Sequence, residues 1–182
     1  MDSRLKLAGH AVHPMLIPLP LGMFLGTLIF DIVYLLTDDL QFATVSFFMA
    51  VLAAVSGAVA AATGAVDFKN IPSGTRAKRV GWVHAIGNDV VIGLFALSAF
   101  LRYRADDYEP SALALALTFT GAVLSFVTGW LGGELVERLG VGVDSDAHLD
   151  ASSSLTAGPL VRMQLNNPEP RPGETSERQS QV

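Results

Sequence analysis

Four histidines occur in the chain, and three of them stand beside long apolar runs in the company of acids. His10 and His13 frame HAVHP just ahead of MLIPLPLGMFLGTLIFDIVYLL. His84 opens HAIGND, in which Asn88 follows one helical turn later and Asp89 stands next to it, while Asp67 closes TGAVD and Glu134 closes GGE. Imidazole can ligate heme iron, bind a divalent metal or carry a proton near neutral pH. The chain has no cysteine, so thiolate zinc sites, iron–sulfur ligation and disulfides within it are excluded. Two ligand sets follow. His13 and His84, with Asn88 as neighbour, are candidates for the axial ligands of a heme b. His10, His13, His84, Asp67, Asp89 and Glu134 are candidates for a divalent metal. Hydrolytic and nucleotide chemistry lack support, since no serine nucleophile sits in a recognisable motif with histidine and acid and no glycine-rich phosphate loop is present.

The elements that must hold these groups are legible in the hydropathy. Of the 182 residues 51% are hydrophobic and 16% charged, an unusual balance for a water-soluble domain. Four segments, at about residues 15–36, 41–66, 82–101 and 111–133, carry at most one formal charge each: Asp31 in the first and Asp89 in the third. Each is long enough for an α-helix to cross a hydrocarbon core of roughly 30 Å, and helices satisfy their own backbone there. The expected fold is all-α, a four-helix transmembrane bundle over residues 1–143. A cleavable signal peptide competes for the first segment, but that stretch is long, is interrupted by Pro18 and Pro20, and lacks a clear small-residue cleavage site. From residue 144 to 182 serine, proline and charge dominate, which predicts a mostly disordered tail with a short docked segment near Leu160 to Leu165. His148 belongs to this tail and is given no role.

Basic residues set the orientation. Arg4, Lys6, Lys69, Arg76, Lys78, Arg79 and Arg138 flank one side of the spans, against Arg102 and Arg104 on the other, so both termini are expected in the cytoplasm of a bacterial inner membrane. The partners implied are the bilayer, membrane redox proteins or further copies of the chain; the net charge of −5 leaves no footprint for nucleic acid.

Small residues at four-residue spacing (Gly121, Ser125, Gly129 and Gly133; Ala53, Gly57 and Ala61, with Gly64 one further turn on; Gly22 and Gly26) mark close helix contacts. A duplication is also suggested, because His13 precedes Thr63 by 50 residues and His84 precedes Thr128 by 44. Two tandem hairpins would make His13 and His84 counterparts near one membrane face. Ordinary explanations stand beside each functional one. His10 fits a headgroup position outside the helix, Pro14 fits a helix start, and Asp67 and Glu134 fit helix-end charges. Asp31 could snorkel or pair with another helix. Trp82, Tyr34 and Tyr103 fit interface anchors, and Trp130 fits packing. Asp89 is the least easily dismissed, since an acid inside a span needs a partner or a proton.

GHAVHPMLIPLPLG, TGAVDFKNIP, WVHAIGND and GWLGGELVERLGVGVD, in that order over residues 8–144, resemble the bacterial membrane-protein family catalogued as domain of unknown function 2231. The resemblance implies a four-helix membrane protein of unassigned activity. Some members are joined to Rieske-type or cytochrome-like modules, which implies a redox setting by association; this chain departs from them in having no cysteine and no second folded module. Three functions compete: a small redox subunit holding heme b or a metal, a structural or accessory membrane protein without cofactor, and a proton-coupled transport component using Asp89 and the histidines as a relay.

Overall fold

The computed structural model describes residues 1–156 and 161–163. Five helices make up four membrane-crossing rods: α1 (Val12–Leu16) running into α2 (Pro18–Thr37), α3 (Leu40–Asn70), α4 (Arg76–Tyr103) and α5 (Ala112–Gly133), the last continued by a π turn over Glu134–Arg138. All four rods are apolar and long enough to span a bilayer. They exceed the apolar windows of the sequence because helical hydrogen bonding continues into the polar flanks, most of all where α4 begins at Arg76 rather than near Trp82.

Local chemistry sets the ends. Asp39, Thr75 and Ser111 cap α3, α4 and α5, accepting from the amides of Gln41, Lys78 and Ala114 at 2.9, 3.1 and 3.2 Å. The first rod starts at Val12, with Ala11 as its cap, so His13 is helical and Pro14 lies within the first turn instead of opening it. Proline is tolerated there because its missing amide hydrogen would have no intrahelical acceptor. Pro18 and Pro20 leave the carbonyls of Pro14 and Leu16 without their helical donors, and this divides α1 from α2 at Ile17.

The rods run up and down around a ring, each packed on its sequence neighbours and α5 closing against α2. Phe24 of α2 and Phe95 of α4 meet across the centre with ring centroids 4.5 Å apart, amid Phe47, Ala50, Ala53, Val91, Ala99 and Ala122. Room for this crossing comes from glycine. A Cβ on Gly57 would approach Ile92 to 2.9 Å, and one on Gly121 would approach the Phe95 ring to 2.8 Å.

The small-residue row of α5 differs from the strict four-residue spacing. Gly121 and Ser125 are buried, but Gly129 is exposed, and a Cβ on Gly129 or Gly133 would meet nothing within 4 Å. Four residues turn a helix by about 400°, so such a row drifts roughly 40° per step, and the contact row passes instead to Thr128 and Gly132. Trp130 goes with the drifting face: it is 67% exposed and packs on nothing central.

At the end bearing the N-terminus, β1 (Leu5–Leu7) pairs with β2 (His10–Ala11) and with β3 (Val161–Met163). The docked segment expected near 160–165 is therefore seen for its three described residues; its remainder, like most of the expected tail, lies outside them. At the far end, Tyr108 stacks on Phe47 with centroids 4.2 Å apart, and Tyr34 donates to Glu109 at 3.1 Å.

Candidate functional site

Each of the two intramembrane histidines is seated in the same way. His13 Nδ1 lies 2.8 Å from the carbonyl oxygen of Ala60 on α3, and His84 Nδ1 lies 2.9 Å from that of Thr128 on α5. A carbonyl only accepts, so both Nδ1 atoms carry the proton. In the neutral ring the other nitrogen, Nε2, then holds a lone pair. Both rings also rest on glycine. A Cβ on Gly64 would come within 2.8 Å of His13 Cε1, and one on Gly132 within 3.0 Å of His84 Cε1. Gly87 brings α4 against α5 beside His84, since a Cβ there would meet Thr128 Cγ2 at 2.6 Å.

The shells differ in detail. Thr63 Oγ1 lies 3.4 Å from His13 Nδ1 while donating to the Ala60 carbonyl at 2.8 Å. Asn88 packs on His84: its amide nitrogen is 3.2 Å from Nε2 and donates to the His84 carbonyl at 2.9 Å.

The remaining candidates go elsewhere. His10 is exposed on β2, with Nδ1 3.1 Å from the Ala8 carbonyl. Asp67 is buried and accepts from Ser3 Oγ at 2.9 and 2.8 Å and from the Arg4 amide at 2.8 Å, so it ties the N-terminal segment to the last turn of α3. Glu134 pairs with Arg76 at 2.6 Å. Asp89 is exposed; five residues past His84, it is turned about 140° around α4. Among the described residues no three histidines or acids gather into a group able to hold a metal ion. The gathering of acids and histidines into one mouth, expected from helix depth, thus fails: depth places residues on one level, and the angle around each helix separates them.

The most heavily bonded polar cluster was not anticipated. Arg102, expected outside the membrane, is 0% exposed and forms a two-pronged ion pair with Asp31, also 0% exposed, at 2.8 and 2.7 Å. Its remaining N–H groups donate to Ser98, Ser46 and Thr118, each at 3.2 Å, so all five donors of the guanidinium are used. Ser46 also donates to Asp31. The helix carries on two residues past the apolar window, which brings Arg102 inside the bundle. Asp31 pairs with another helix rather than snorkelling.

A signal for the pair was present in the spacing. His13 and His84 are 71 residues apart, and so are Phe24 and Phe95, Thr27 and Ser98, and Asp31 and Arg102. On the return helices the matching separation is 68 residues, for Ala60 and Thr128 and for Gly64 and Gly132. Equivalent positions touch, with the side-chain partner exchanged: Ser46 Oγ lies 3.2 Å from the Thr27 carbonyl oxygen, and Ser98 Oγ donates to the Ala114 carbonyl at 2.8 Å. Thr63 and Thr128 are therefore not counterparts. Thr128 serves His84 through its main-chain carbonyl, a group every residue has, so its type gave no clue to its partner.

A family model described as "Predicted membrane protein (DUF2231)" matches residues 9–145. No curated protein and no solved structure matched the chain.

Proposed function

From the premise that the chain belongs to the DUF2231 family of predicted membrane proteins, we propose that it is a small integral-membrane subunit whose functional centre is the His13–His84 pair, serving as axial ligands to a b-type heme. The observation that carries this reading is the shared seating of the rings. Nδ1 of each is committed to a neighbouring-helix carbonyl, the second contact that usually fixes a metal-ligating imidazole, and Nε2 is the atom that would bind iron, at His84 in place of its contact with the Asn88 amide. Two imidazoles are an incomplete set for a tetrahedral divalent metal but a complete axial pair for heme iron. The acids that a divalent centre would need are bonded to Ser3, Arg4 and Arg76 or, for Asp89, turned away. Heme would supply one-electron chemistry; the chain's own part is to fix the two tautomers and keep the rings on opposite hairpins. The seven basic residues at this end support a cytoplasmic placement of both termini in a bacterial inner membrane.

The test is a visible spectrum of detergent-purified protein, oxidised and reduced, after expression with ample heme. A Soret band that disappears in His13→Ala and in His84→Ala is expected. No band, with no metal by elemental analysis, would leave the accessory, cofactor-free reading, which the fully satisfied Asp31–Arg102 clamp favours. For the orientation, Ser73→Cys should react with an impermeant maleimide only after cells are opened, and Asp107→Cys in intact cells.

A further inference from the structure

We infer that the exposed face of α4 around Asp89 is the contact between two copies of this chain, and that the two Asp89 carboxyls bond to each other across the two-fold axis. The inference begins with depth. Between Trp82 and Tyr103, both exposed, α4 rises about 31 Å, which matches the hydrocarbon thickness of roughly 30 Å. Asp89 is seven residues beyond Trp82, hence roughly 10 Å inside that level by helical rise. Its side chain is exposed, and it meets no hydrogen-bond donor or basic group among the described residues. An acid facing hydrocarbon in this way is unfavourable whether charged or neutral, because even the protonated form has an unsatisfied O–H donor.

The chain offers no base to cover it. Exposed residues of α2, of α3 ahead of Lys69, of α4 from Trp82 to Phe100 and of α5 include no lysine, arginine or histidine. A head-to-tail contact between copies would therefore offer Asp89 no opposite charge, only a neutral donor such as the hydroxyl of Thr120 or the indole N–H of Trp130. In a two-fold contact, by contrast, a residue near the axis meets itself. Two protonated carboxyls then close a neutral ring of two O–H···O bonds, and with one proton fewer a single O–H···O⁻ bond shares the charge over both. The backbone permits the approach: Gly93 and Ala96, the next turns along the same row, are exposed, and a Cβ on Gly93 would meet nothing within 4 Å. Small residues flanking a polar one are the arrangement through which membrane helices associate. The first hairpin cannot supply a second such face. The position 71 residues before Asp89 is Pro18, so the assembly closes at two copies.

The absence of cysteine makes the test direct. Gly93→Cys, oxidised in native membranes, should yield a disulfide-linked species of twice the chain's mass. Ile29→Cys and Val123→Cys, on the exposed faces of α2 and α5, should not. In lipid vesicles the full chain, labelled for energy transfer between copies, should dimerise; Asp89→Asn should retain the dimer through paired amides, and Asp89→Leu should weaken it at least tenfold. Cross-linking of Gly93→Cys no faster than the controls, or to a different protein, would overturn the inference, as would unchanged dimerisation of Asp89→Leu. His13→Ala and His84→Ala should dimerise like the parent chain, which separates this result from the fate of the heme reading.

Discussion

Removing either half of the Asp31–Arg102 pair should destabilise the bundle, but not equally. Arg102 engages Asp31 with two N–H groups and Ser98, Ser46 and Thr118 with the other three, all within a site closed to solvent. Breaking a buried ion pair by truncating one partner costs about 3–5 kcal/mol. In Asp31→Ala the guanidinium is left charged, because it does not deprotonate in proteins; two of its donors lose their acceptor, so the cost belongs near about 5 kcal/mol. In Arg102→Met the orphaned carboxyl can take up a proton and keep its bond to Ser46, so the loss should stay near about 3 kcal/mol. The double variant Asp31→Leu, Arg102→Met removes both charges and should recover most of the loss, since apolar replacement of a whole buried pair is often neutral or better. Reversible unfolding in mixed micelles, followed by tryptophan fluorescence and helicity, gives the three free energies. Equal costs for the single variants, or a double variant whose cost equals their sum, would refute the account of a charge stranded by loss of its partner.

Other expectations follow from the same contacts. Gly132→Ala should destabilise by about 1–3 kcal/mol through overpacking against His84, whereas Gly129→Ala, on open surface, should stabilise by up to about 1 kcal/mol through helix propensity; thermal unfolding of the two variants distinguishes a glycine serving the imidazole from one serving nothing. Asp67→Ala should free the segment held through Ser3 and Arg4, raising amide exchange over residues 3–7 by at least tenfold while exchange in the middle of α3 is unchanged.

The four rods were legible because transmembrane length and hydropathy are properties of contiguous sequence. Positions around each rod were less so. Asp89 and His84 read as one site by depth, yet about 140° of helical rotation separates them; Gly129 and Trp130 read as packing residues, yet helical drift carries them to the surface. Arg102 was hidden for another reason. A charge directly after an apolar window is assigned to the loop, and only the distant Asp31, on a helix that is not its neighbour in the ring, makes its burial favourable. The seating of the histidines was half legible: His13 and His84 stood out as counterparts, but the Ala60 and Thr128 carbonyls that orient them carry no side-chain signature.

The pseudo-symmetry gives the ion pair a further role, which a charge exchange can test. Positions 31 and 102 are equivalent in the two hairpins, as are Thr27 and Ser98 one turn before them. Two copies of the first hairpin packed on each other would bring together two acids, and two copies of the second would bring together two guanidiniums. Only the mixed arrangement neutralises the centre, so the pair selects first-on-second packing by penalising the alternatives as well as rewarding the native one. Asp31→Arg or Arg102→Asp alone places like charges in the core, and each should prevent stable folding. The exchange of both should restore a folded bundle, weakened because the hydroxyls of Ser98 and Thr118 are placed to serve a guanidinium at 102 rather than a carboxylate. The readout is the yield and unfolding midpoint of the purified full chain. An exchanged protein no better folded than either single reversal would mean that the two positions are not interchangeable, and that the axis relating the histidines does not extend to the charged pair.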